Sequence, residues 1–375
     1  MLRRLFKHRR FWRRCGFAFL GAFTLTLLAA GAFLLWARTA QAGFQPVSTV
    51  IASDTAGRIA RIPGYRRAED ATYLTFVEWY LVFNPQEYAR FLASGRPSQF
   101  PYFRGIAQIW SGYREVYGIA QRHYPFNAGY HLMLVVIGTS STVEFALKGV
   151  YEKSLGRLSE WSAGGAVTAE DRLAAEVARD YGDFIPTRPW FEFPFAAKLR
   201  RVWTTTGFFG PHFLRKCERK LFLSLEYGVK TIYAALIRAA SHSVYGIADT
   251  EVYLSAHNIG EAALAHPGVR AVEQLGPARW VLTVPHYQGF TDTLPSLAAD
   301  GVEFEEIAGN DEILLTLIAP AEWTYDLTAG RPLFATRVLT GDARRFAVQV
   351  PVVSLGSVLR EIDARHLRLE HLFDY

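Results

Sequence analysis

Arg279-Trp-Val-Leu-Thr-Val-Pro285 and Arg345-Phe-Ala-Val-Gln-Val-Pro351 are two copies of one pattern: an arginine, an aromatic residue, a run rich in β-formers, and a closing Val-Pro. Proline has no N–H to give a ladder, so Val-Pro reads as the end of a strand. An apolar helix follows each copy, Phe290–Ala299 in the first and Leu355–Ala364 in the second. A second strand follows each helix, Val302-Glu-Phe-Glu-Glu-Ile307 and Leu367-Arg-Leu-Glu-His-Leu372. From the proline to that second strand is 17 residues in one copy and 16 in the other. Further strands are expected at Glu251–Ser255, Ile313–Ile318 and Leu333–Leu339, joined by short loops. The pattern predicts an α+β module of two strand–helix–strand units over residues 247–375.

Upstream, residues 68–246 show the 3.6-residue period of an all-α domain. Thr72–Phe83 is apolar and aromatic, and Asn84-Pro85 marks a break, after which Pro85–Leu92 opens a new short helix. Further helices are expected over Gly105–His123, Asn127–Leu155, Arg172–Phe184 with Thr168 as N-cap, and Lys220–Ala240.

Residues 275–375 resemble the ACT-like branch of the ferredoxin-like fold. The likeness rests on Val284-Pro285, Val350-Pro351 and the closing Leu369-Glu-His-Leu-Phe-Asp-Tyr375. It implies a pair of βαββαβ plaits presenting an open sheet that binds a protein partner or a small ligand. ACT domains follow the first strand with a glycine-containing turn that helps to bind amino acids. Gln288-Gly289 takes that place in the first copy, while Val353-Ser354 in the second has no glycine.

The formal charge of +6 over 375 residues is concentrated in the first fourteen. Arg3, Arg4, Lys7, Arg9, Arg10, Arg13 and Arg14 leave 34 basic residues (41 − 7) against 35 acidic in the remainder. A near-neutral body does not make a nucleic-acid binder, and 50% hydrophobic residues exclude disorder. After the basic tail, Cys15–Ala37 runs 23 residues without a charge, with Trp12 and Trp36 at its borders. That length spans a hydrocarbon core of about 30 Å. The positive-inside rule places the tail in the cytoplasm and the chain beyond the 38–67 linker outside, as in an inner-membrane protein. The run is longer than a cleavable signal usually carries, although Ala40-Gln41-Ala42 has the small residues of a cleavage site. A second candidate span, Tyr130–Leu147, holds His131 and Glu144 and reads first as a buried helix of a bundle. Cys15 and Cys217 suggest no disulfide framework.

Nucleophile elbows, phosphate loops and metal-spacing motifs are missing, so no cofactor or metal is expected. The leading expectation is a non-catalytic membrane scaffold or binding protein. The alternative is an enzyme or transport accessory that uses Glu78, His131, Glu144 and Glu226. Separately, Pro189–Lys220 interleaves aromatic and basic residues, among them Trp203, Arg200, Arg201, Lys216 and Arg219. That mixture suits a lipid surface.

Overall fold

The computed structural model describes residues 57–65, 73–124, 126–244 and 251–374, with isolated positions 31, 32 and 35. The basic tail and nearly all of the anchor, including Trp12 and Trp36, lie outside the described residues. A helical domain comes first, followed by two antiparallel four-stranded sheets with their helices.

The helices are α1 (Thr75–Glu78), α2 (Tyr80–Leu92), α3 (Tyr102–His123), α4 (Ala128–Tyr151), α5 (Arg157–Ser162), α6 (Ala169–Phe184), α7 (Phe195–Thr204) and α8 (Phe213–Val244). Local chemistry sets several of their starts. The Asn127 side chain accepts from Tyr130 N–H at 3.0 Å to open α4. Thr168 and Asp171 form a reciprocal capping box at α6. The expected break at Asn84-Pro85 does not occur, because α2 runs through Pro85. The interruption falls at Trp79 instead, where Phe83 and Tyr80 pack against Phe76 and hold the short α1 in line.

The α+β module runs β1 (Glu251–His257), α9 (Glu261–Leu264), β2 (Arg270–Gly276), β3 (Arg279–Pro285), α10 (Gln288–Ala299) and β4 (Glu303–Ile307). The second unit is β5 (Glu312–Pro320), β6 (Arg331–Arg337), β7 (Ala343–Pro351), α11 (Val352–Ala364) and β8 (Arg368–Leu372). The sheets order as β2-β3-β1-β4 and β6-β7-β5-β8, antiparallel throughout. Both orders are those of a plait of two split strand–helix–strand units, compatible with ferredoxin-like modules. In the second unit a loop, 321–330, replaces the first crossover helix, and its Trp323 stands edge-on to Phe346 at 4.9 Å.

Neither sheet presents the open face that the resemblance implied. Ile59 and Tyr65, within the stretch read as linker, pack with Val281 on the first sheet, and Arg58 pairs with Glu273 at 2.6 Å. On the second sheet, Phe76 meets Phe334 at 5.1 Å, and Tyr73 donates to Glu312 at 2.5 Å. Arg345, 1% exposed, pairs with Glu87 of α2 and Glu370 of β8, each at 2.8 Å. Glu87 also accepts the Leu339 N–H. Burial alone lowers a guanidinium's affinity for its proton, but Glu370 and Glu87 outweigh it and keep Arg345 charged. The alternate side chains Phe346, Val348 and Val350 face the other way, toward α11 and the 321–330 loop.

Two outcomes follow. Arg345→Met leaves Glu87 and Glu370 buried without their cation, and should cost about 3–5 kcal/mol, read as a fall in Tm. His371 offers a pH test: it is fully buried, lies tilted against the Trp79 ring and shares a hydrogen bond with Thr291 Oγ1 at 2.8 Å. Burial and then the neighbouring His286 push its pKa well below 6.5. A depressed histidine contributes stability that is whole above about pH 6.5 and is lost as pH falls below it, by at most about 1.4 kcal/mol per pH unit. His371→Gln should flatten that slope in thermal unfolding between neutral pH and pH of about 5.

Candidate functional site

Arg215, Arg219, Glu226 and Lys230 recur along α8 at steps of 4, 7 and 4, and so form one charged stripe. On a soluble helix such a stripe faces water, but here it faces inward. Arg219, 1% exposed, donates to both Glu152 oxygens at 3.0 Å and to Glu218 at 2.6 Å. Arg215, also buried, reaches Asp171 at 2.7 Å, Glu218 at 3.0 Å, Ser159 Oγ at 2.8 Å and Gly156 O at 3.2 Å. Lys220 donates to Val202 O at 2.8 Å and Thr206 O at 3.0 Å, with the buried Glu170 at 3.7 Å.

A π turn, Glu152–Gly156, joins α4 to α5 at this point. Glu152 is fully buried beneath it, and a Cβ at Gly156 would come within 2.4 Å of the Glu152 carboxylate. Glycine is therefore the residue that leaves room for this ion pair.

Further along, Glu226 takes Lys148 at 2.8 Å and Lys230 at 3.3 Å, and Lys230 reaches Glu144 at 2.7 Å. Burial pushes the Glu226 carboxyl up, but the two lysines pull harder and hold it down at about 2. Tyr88, Tyr102 and Tyr181 join these groups around a cavity of about 60 Å³, room for a few waters. Burial raises the Tyr88 and Tyr181 hydroxyls, so both stay neutral. Each acid of this cluster faces a cation, which is the arrangement of a structural network and not of a poised general base.

Of the four candidate groups, the fold gathers two. Glu144 and Glu226 meet through Lys230. His131 lies about 20 Å away along α4, sharing a hydrogen bond with Tyr113 OH at 2.7 Å and stacked on Phe126. Glu78 accepts from Tyr130 OH at that same end. Among the described residues no cluster of histidine, cysteine and acidic side chains could hold a metal. The proposed interface residues also divide. Trp203 and Arg200 are exposed, Arg201 pairs with Glu176 at 2.8 Å, and Lys216 donates to Phe209 O at 3.0 Å. Arg219 is no interface residue, because Glu152 and Glu218 hold it in the interior.

Sequence reading missed a second site. A cleft of about 340 Å³ opens where α2, the end of α6 and the second plait meet. Arg90 of α2 and Arg368 of β8 line it, with Gln86, Gln288 and Asp183. Both guanidiniums reach solvent, and the partial desolvation of Arg90 together with the nearby Arg368 charge pushes its guanidinium down. Glu370 on the same wall is already taken by Arg345. Arg90 and Arg368 are 278 residues apart, so only the tertiary fold could pair them.

The chain matches no family model, no curated protein and no solved structure. Its chemistry has to be judged from its own geometry.

If the Glu226 cluster is structural, Glu226→Gln should cost about 3 kcal/mol or more, by leaving Lys148 and Lys230 with one acid between them. Lys148→Met combined with Glu226→Leu should recover part of that loss. An unchanged Tm in Glu226→Gln would favour a proton- or ion-handling role instead.

Proposed function

We propose that the chain is a membrane-anchored, non-catalytic binding protein whose ACT-like pair of plaits takes an anionic small molecule at its seam with the helical domain. The carrying observation is the cleft lined by Arg90 and Arg368. Two guanidiniums held near one another repel, and a bound carboxylate or phosphate relieves that repulsion while accepting from both. Gln288, beside them, opens α10 at the place that the resemblance marks for ligand contact. The membrane half of the reading is supported by the 23-residue uncharged run and the basic tail before it, a charge asymmetry that by the positive-inside rule favours the body on the outer side of an inner membrane.

The test is thermal unfolding of the full chain in lipid nanodiscs with inorganic phosphate, free amino acids and dicarboxylates in turn. At least one should give a saturable rise in Tm. Arg368→Ala should weaken that ligand about tenfold or more, the worth of one charged hydrogen bond. A flat response to every anion, or a rise that survives Arg90→Ala with Arg368→Ala, removes the reading.

A further inference from the structure

The face of α8 opposite its charges is apolar and, among the described residues, exposed. Leu214, Leu221, Leu225, Val229, Ile232 and Leu236 follow one another at helical spacing, and each is 57–67% exposed. No charged residue is exposed from Leu214 to Ile237. The adjacent, antiparallel α4 repeats the pattern with Leu132, Val136, Val143, Leu147 and Val150, each more than half exposed. Glu144 is the one exposed charged side chain along that stretch of α4, and Lys230 pairs with it. The run Ala128–Ser162 is long and apolar enough to cross a membrane, but only 22% of its apolar window is buried. The expectation of a buried bundle helix is therefore corrected: α4 and α8 turn their ion pairs and a few apolar side chains, Leu134, Val135, Leu223 and Tyr227 among them, inward and leave long apolar stripes outside.

We infer that α4, α5 and α8 lie in the plane of a bilayer surface, with their outer apolar stripes in the acyl–headgroup boundary and anionic lipid headgroups at their rim. This goes beyond ligand binding and does not depend on it. Three observations select lipid as the occupant. First, the charges that would solvate these helices are turned inward into ion pairs. Second, the rim carries headgroup chemistry: Trp161, Trp203, Phe208 and Phe209 are exposed where α5 meets the start of α8. A cleft of about 470 Å³ beside Trp161 is lined by Arg96, Lys153 and Arg157. Its one acid, Glu160, is occupied by Ser98 and Arg215. Basic residues beside interfacial aromatics are what anionic headgroups recognise. Third, the uncharged run at Cys15–Ala37, read as an anchor, would hold the body at the surface of the same membrane.

The packing decides orientation. The stripe on α8 measures about 33 Å, enough to span. However, α2 and the second sheet stand directly behind α4 and α8, and exposed charges such as Arg337 and Asp342 decorate that sheet. Upright insertion would carry them into hydrocarbon, at a cost of several kcal/mol. A flat orientation immerses only the stripes.

The experiment is spin-label depth measurement on the full chain in nanodiscs, in a Cys15→Ser, Cys217→Ser background. Single cysteines replace Val136, Leu147, Leu225 and Leu236, with Leu27 reporting the anchor and Val272 the aqueous module. Nanodiscs are made of phosphatidylcholine alone or mixed with phosphatidylglycerol. The expected result is oxygen-favoured accessibility at all four stripe positions, at one shallow depth, with Leu27 deeper and Val272 aqueous. Phosphatidylglycerol should deepen the stripe labels, and Lys153→Glu with Arg157→Glu should abolish that increment. Aqueous stripe labels with a buried Leu27 would overturn the inference and leave the anchor standing. A depth graded along each helix, showing a span, would overturn it too. So would spin–spin broadening at the stripe, which would show a second copy as the occupant.

Discussion

Arg219 between Glu152 and Glu218 is the interaction on which the helical half depends. It fixes α8 against α4 with its charged stripe inward, and it requires the π turn that swings Glu152 beneath the chain. Burying such ions costs more than their attraction returns unless hydrogen bonds saturate them. Here both Glu152 oxygens are engaged by Arg219, and Arg215 adds Gly156 O and Ser159 Oγ to its acids. A network saturated in this way tolerates one arrangement of the helices well and others poorly. With its inner face shared between these ions and a small apolar set, Leu223, Tyr227 and Ala234, α8 leaves its remaining leucines on the outer face.

That inversion explains what sequence could not reveal. Periodicity shows that α8 has a charged stripe and an apolar stripe, but the same period results whichever one is buried. Resolving the sign takes the partners. Glu152, Glu160, Glu170 and Asp171 lie 44 to 67 residues before the cations they meet, so Arg215, Arg219 and Lys220 read locally as a basic surface cluster. Glu144 and Glu226 were legible as candidate carboxylates on two separate helices. Their linkage through Lys230 was not, because it depends on the antiparallel register of α4 and α8.

The plaits were more legible, because their signals are local. Strand-Val-Pro followed by an apolar helix set β3–α10–β4 and β7–α11–β8 nearly at their observed limits. β2 was missed, since Arg270-Ala-Val-Glu-Gln-Leu-Gly276 is an outer strand with mixed polarity and little β-branching. The covering of the second sheet was missed for a different reason. Arg345 looks like an ordinary polar residue on an exposed face until Glu87, 258 residues earlier, is brought over it.

α2 is where these constraints converge. Glu87 faces the second sheet, Tyr88 lies under Lys148 at 4.4 Å on the ion-pair side, and Arg90 lines the seam cleft. Turns of about 100° per residue send these three neighbours to three surroundings. The helix is thus a common wall between plait, charge network and cleft, and behind that network lie the helices that carry the apolar stripes. An anion that bridges Arg90 and Arg368 would tie α2 to β8, the strand that already shares Arg345 with it. Binding at the seam would therefore add to the contact between the two halves, and would act on the helices with the exposed apolar stripes only so far as it favours one position of α2 over another.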